Sequence, residues 1–179
     1  MLRTVAAALL LLCAPALANA RGPSTAQERK KAVELTRKLE KLPLARSSNQ
    51  DRAWLLQFIV EAPDFEVKGC TGPLDALAKD EEGPYARILY VQSVFGMAAF
   101  MFENPKKTGD WAAVQSAGIE STLKAYESVL KTDPDARWKE LDRLQAARAK
   151  GKLRALVEKE MPKCGTGEDE GRAAPSDAI

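Results

Sequence analysis

Histidine is absent from all 179 residues. That one gap removes the commonest general base, the commonest zinc ligand and the usual titrating switch near neutral pH. No C-x-x-C pair is present, so the dithiol redox motif is missing too. No serine sits on a G-x-S-x-G elbow, and no Gly-rich phosphate loop precedes a helix. Asp133-Pro134-Asp135 lacks the spaced ligands and late Glu of a calcium loop. Neither sign of charge dominates: 27 Lys and Arg face 25 Asp and Glu, which leaves no basic field for nucleic acid. The apolar runs all fall short of the roughly 20 residues that a bilayer-spanning helix needs. Read together, these gaps leave no catalytic constellation, cofactor or metal site to expect.

What is present begins with a leader. Arg3 gives a positive start, Val5 to Leu17 is mostly apolar, and Ala18-Asn19-Ala20 offers small residues at the two positions a signal peptidase reads. This is the pattern of a cleaved secretory signal over residues 1–20, with the mature chain periplasmic or secreted. Cys13 leaves with it, so Cys70 and Cys164 remain as an even pair in an oxidising compartment. The expected disulfide joins positions 94 apart. Closing so long a loop stabilises by up to about 4–5 kcal/mol through the unfolded state.

The remainder reads as one all-α domain over 21–164, of six to seven helices, followed by an acidic, Gly-rich tail over 165–179 that lacks the apolar side chains to order itself. Residues 21–25 look unstructured as well. Thr25 and Glu28 form a capping box, and Ala32, Leu35, Leu39 and Leu42 make the apolar stripe of a first helix to Leu42. Eight basic residues between Arg21 and Arg46 colour the rest of it. A second helix, Asn49 to Glu61 with Ser48 as cap, carries Trp54, Leu55, Leu56, Phe58, Ile59 and Val60 and is expected to be deeply buried. Phe65 to Lys68 alternates but has no partner strand, so it reads as extended loop. A short helix from Thr71 to Lys79 comes next.

Pro84 opens a central helix in which Ile88 to Phe102 is apolar on every side, the pattern of burial all round. Ser93, Gly96 and Ala99 form a small-residue seam where another helix can approach closely. Asp110 to Lys131 is a long helix with Ile119, Leu123, Tyr126 and Leu130 on one side and Ala117, Gly118, Ser121 and Ala125 on another. Helices from Asp135 to Lys150 and from Leu153 to Glu160 close the domain. Among the acids, Glu61 and Glu103 stand beside apolar helix ends and are the two to test for a catalytic role. Trp111 reads as partly exposed and Trp138 as core. Ser128 and Lys131 read as a helix surface.

Thr122, Tyr126 and Pro134 keep the spacing of the second helix of a tetratricopeptide repeat, and Trp138 to Ala147, Gly151 and Leu153 are similar to the first helix and turn of a following one. The resemblance spans about residues 122–160. Val129 and Leu144 stand where that family prefers alanine and glycine, and no second copy occurs at its 34-residue period. The resemblance implies a groove that binds a peptide or protein.

The function expected from these readings is an exported helical interaction module, without catalysis, that binds protein or peptide. Two alternatives stand beside it: a hydrolase acting on cell-wall or polysaccharide material through two carboxylates, and a structural protein held to the envelope surface by the basic first helix.

Overall fold

Each helix can be traced to the residues that start and stop it. The structure is a computed structural model describing residues 21–70, 72–79, 83, 85–161 and 164. The expected signal (1–20) and acidic tail (165–179) lie outside those residues. Seven α-helices are present, and no strand occurs among the described residues: α1 (Ala26–Lys41), α2 (Ser48–Glu61), α3 (Asp75–Lys79), α4 (Ala86–Glu103), α5 (Trp111–Thr132), α6 (Lys139–Ala149) and α7 (Leu153–Glu160). A 3-10 turn, Pro105–Lys107, joins α4 to α5.

The capping box of α1 forms as its sequence requires. Thr25 Oγ1 accepts from the Glu28 amide while Glu28 accepts from the Thr25 amide. At α5 the Asp110 carboxylate accepts from the Ala113 amide. Ser48 does not cap α2. It is the first helical residue, fully buried, and its hydroxyl donates to the Leu42 carbonyl, which ties the α1–α2 connection shut. The penultimate helix starts at Lys139, four residues later than the sequence suggests, because Asp133 to Arg137 folds into consecutive turns. Gly151 turns α6 into α7 with φ +65°, a conformation that costs glycine little.

The principal pair is α4 with α5, and α1 lies across both. The two small-residue seams read from the sequence meet each other. A Cβ on Gly96 would collide with Ser121 Cβ and stand 2.9 Å from the Ala117 carbonyl oxygen. One on Gly118 would stand 2.8 Å from both Met97 Cγ and the Ser93 carbonyl oxygen. Glycine is therefore needed at both crossings, and its cost in helix propensity, about 1 kcal/mol against alanine, is offset by close packing.

Two apolar clusters result. The larger joins Leu89, Ile119, Leu123, Tyr126, Val129, Leu141, Leu144 and Val157. The smaller joins Ala32, Leu39, Leu55, Phe58, Ala62 and Phe95 between α1, α2 and α4. Trp54 stacks on Phe58 at 5.1 Å, and Phe65 meets Phe102 edge-on at 4.7 Å. The expected deep burial of α2 is not met. Leu55 and Phe58 are buried, Trp54, Leu56 and Ile59 are half-buried, and Val60 is 82% exposed. The helix buries Leu55 and Phe58 against α1 and against Phe95 and Phe102 of α4, and the opposite part of its circumference faces solvent. The central helix also falls short of burial all round: Val91, Val94 and Met101 are half-buried.

Residues 21–25, expected to be loose, are clasped instead. Asp64 accepts from the Ser24 amide at 2.8 Å and hydroxyl at 2.7 Å, and from Arg29 at 2.6 Å. Arg21 pairs with Glu28 at 2.5 Å and lies over the Phe58 ring at 4.8 Å. Asp64 and Phe58 sit about forty residues along the chain from these partners, beyond the reach of a local reading.

Candidate functional site

The loop from Ala62 to Leu74 is held at several points as it passes from the smaller cluster to the larger. Phe65 anchors it in the aromatic group, Gln115 Nε2 donates to the Lys68 carbonyl at 2.7 Å, and Leu74 is buried in the main cluster. Cys70 is then bonded to Cys164, with a Cα–Cα separation of 5.7 Å. The expected disulfide is thus formed, joining this loop to the residues after α7. A narrow cavity of about 30 Å³ lies beneath it, lined by Leu74, Tyr90, Met97, Ile119 and Met161 among others. It is room for no more than a water.

Outside the bridge lies a shallow, open depression of about 480 Å³, bounded by Gly72, Pro73, Asp75 and Ala76 on one side and by Glu140 of α6 and Glu160 of α7 on the other. Three carboxylates share it. Asp75 accepts from the Gly72 amide at 3.0 Å, which fixes the start of α3. Arg143 forks between the other two, its Nη1 donating to Glu160 at 2.7 Å and its Nε to Glu140 at 2.9 Å, while Nη2 bonds both. Hydrogen bonds from Arg143 hold the Glu160 carboxyl below the usual carboxylate range. Lys159 acts on Glu160 in the same sense as Arg143, so Glu160 stays ionised near neutral pH.

The acids singled out from sequence do not form this rim. Glu61 is exposed and accepts from Gln57 at 2.9 Å, with Arg21 3.6 Å away. Glu103 is exposed and pairs with Arg37 at 2.7 Å. Neither is buried, because each projects past the last turn of its helix toward a cation. The buried acid is Glu40, 5% exposed, which accepts from Arg37 at 2.5 Å and from Ser121 at 2.8 Å. Gln92 extends that network, donating to Ser121 at 2.9 Å and to the Thr36 carbonyl at 3.3 Å. Its partners come from α1, α4 and α5, so each bond fixes the register of one helix on another. Glu40 reads as one more charge on a basic helix in the sequence. Only its place beside Leu39 on the inner stripe could have flagged it.

Ser128 donates to the Glu40 carbonyl at 2.8 Å, so it joins α5 to α1 and is not a free surface group. Ser116 donates to its own helix at Ala112. Trp111 and Trp138 are both half-buried against the main cluster. Tyr126 is fully buried, and its hydroxyl accepts from the Trp138 amide at 2.8 Å and donates to Asp142 at 3.0 Å. Burial is the main reason its phenol titrates above the ordinary range.

Most cations of α1 are matched by carboxylates or rings. Lys30 pairs with Glu34, Arg37 with Glu40, and Lys38 with Asp51, while Lys31 lies 3.9 Å over the Trp54 ring. No group of three or more Cys, Asp or Glu suited to a metal ion occurs among the described residues. Among the same residues no helix is long and apolar enough to cross a membrane. No protein-family model, curated protein or solved structure matches this chain.

Proposed function

We propose that this chain is an exported helical interaction module that binds a basic segment of a protein or peptide, without catalysis of its own, at the acidic depression between α3 and the α6–α7 hairpin. The observation that carries this reading is the open concavity whose rim sets Asp75, Glu140 and Glu160 around one space. Opposed carboxylates on fixed helices suit extended cationic side chains, and electrostatic complementarity of this kind gives specificity and rapid encounter. Two of the three acids stand on the hairpin that resembles a tetratricopeptide repeat, a family of peptide-binding surfaces. The signal-like leader supports placement outside the cytoplasm.

Crosslinking in the native envelope followed by pull-down is the direct test. A partner linked through α6 or α7 by a Lys- or Arg-rich segment is the expected result. Capture of nothing above background overturns the reading. In a purified system, a fluorescent Lys-rich peptide should bind and an Asp-rich one should not. Asp75→Asn with Glu160→Gln should weaken that binding several-fold, and added salt should weaken it further.

The same three carboxylates favour a second reading, a hydrolase of cell-wall or polysaccharide material. A general acid must hold a proton near working pH, and Arg143 acts on Glu160 in the opposite sense. Release of soluble sugar from purified cell wall, lost in Glu160→Gln, would favour this alternative over binding.

A further inference from the structure

The two walls of the acidic depression belong to different parts of the fold. Gly72, Pro73, Asp75 and Ala76 stand at the start of α3, which packs on α4. Glu140 and Glu160 belong to α6 and α7, which pack on α5 and on each other. The Cys70–Cys164 bond ties the loop just before the first wall to the residues just after the second. Met161 lies beside that tie, so close to Gly72 that a Cβ there would stand 2.6 Å from Met161 Cγ. Gln115 holds the Lys68 carbonyl at 2.7 Å, so the loop is tethered to α5 up to that point with or without the bridge. Leu74 and Leu77 anchor α3 in the main cluster. Freedom gained by breaking the bridge therefore falls on the stretch from Gly69 to Asp75, and the wall shifts without detaching. The two ends of the bridge differ in access: Cys70 is partly exposed, and Cys164 is buried.

We infer that the Cys70–Cys164 bridge is a redox-sensitive switch for the depression, an inference that rests on the binding function proposed above. Closed, the bridge holds Asp75 opposite Glu140 and Glu160, so that one cationic segment meets all three. Opened, it lets the wall that carries Asp75 move away. The co-reactant is an external dithiol. One of its thiolates attacks Cys70 Sγ, the S–S bond breaks, and Cys164 leaves as a thiolate and takes up a proton. The second thiol of the reagent then displaces Cys70 from the mixed disulfide, which leaves an oxidised reagent and two protein thiols. Linkage makes the effect reciprocal. Whatever factor the bridge adds to affinity for the cationic segment, the bound segment adds to the bridge's resistance to reduction. A bridge that served stability alone, in a chain still folded when reduced, would show no such reciprocity.

The test compares the purified chain before and after reduction with excess dithiothreitol, using a cysteine-free, fluorescent Lys-rich peptide as probe. The oxidised chain should bind the peptide about tenfold more tightly than the reduced one. Saturating peptide should raise the ratio of reduced to oxidised dithiol needed for half-reduction by the same factor. Cys70→Ser with Cys164→Ser should bind as the reduced chain does. Amide exchange in the reduced chain should quicken at Gly72 and Asp75, which donate to the Asp75 carboxylate and the Gly72 carbonyl, and stay slow along α4 and α5. Equal or tighter binding by the reduced chain overturns the switch and leaves the binding site standing. Exchange that quickens throughout the reduced chain also overturns it, because the bridge then supports the whole fold. No binding by the oxidised chain overturns the binding site itself, and the switch with it.

Discussion

The α4–α5 crossing and the outer side of α2 are both built from small and apolar residues, yet they have opposite fates. At the crossing, Gly96 meets Ser121 and Gly118 meets Met97 with no space for one added carbon. Along α2, Ala53 and Val60 are exposed, Val60 at 82%. Helix amphipathicity is the same language in both places. What differs is whether another element of the chain arrives to cover the surface, and that is decided by connections and by neighbours distant in sequence.

The contrast can be tested from its strong end downward. The crossing lies in the half of the molecule that the disulfide encloses, so replacing both Cys70 and Cys164 by alanine should cost about 4 kcal/mol of stability in urea unfolding. A loss below about 1 kcal/mol would mean that the packing of α7 already constrains that half. Gly96→Ala should cost about 3 kcal/mol, the upper part of the usual range for overpacking, despite alanine's better helix propensity. If it stabilises instead, the helices have room to part and the close approach is not required.

Acid should separate the two halves. Asp64 is held below its ordinary value chiefly by the Ser24 amide, and Glu28 by the Thr25 amide. Both are lowered carboxylates, so their stabilisation is complete above the unfolded value near pH 4 and is lost as pH falls through the folded value. Amide exchange at Ser24 and Thr25, whose N–H groups donate to these two carboxylates, should therefore quicken below about pH 4 while the amides of α5 stay protected. Simultaneous loss would show that the α1–α2 half is no looser than the rest. At the weak end, Val60→Ala should change monomer stability by no more than about 0.5 kcal/mol. A larger loss would show that Val60 packs against something.

Local chemistry made most of the helices legible. Thr25 and Glu28 announce the start of α1, Pro63 the end of α2, and the small residues of α4 and α5 their mutual approach. The pairing of Cys70 with Cys164 followed from the expectation that Cys13 leaves with a signal-like leader. Relations across long stretches of chain were not legible. Glu40 became a buried acid because Ser121, 81 residues away, arrived beside it. Glu61 and Glu103, at the ends of apolar helices, are solvated there as helix-end acids usually are, and what the sequence does not show is that Arg21 and Arg37 meet them. Asp75, Glu140 and Glu160 are ordinary surface acids until the fold gathers them around one depression.

The sulfur bridge has a mechanical consequence as well. It closes a covalent ring whose ends are 94 positions apart, with α3 to α7 inside and α1 and α2 outside. Tension applied at the two ends of the chain runs through α1 and α2, then crosses the bridge and bypasses the ring. About 330 Å of contour stays hidden from the pull. Stretched between a surface and a tip, the oxidised molecule should lengthen by that much less than its reduced form, and α3 to α7 should never feel the load.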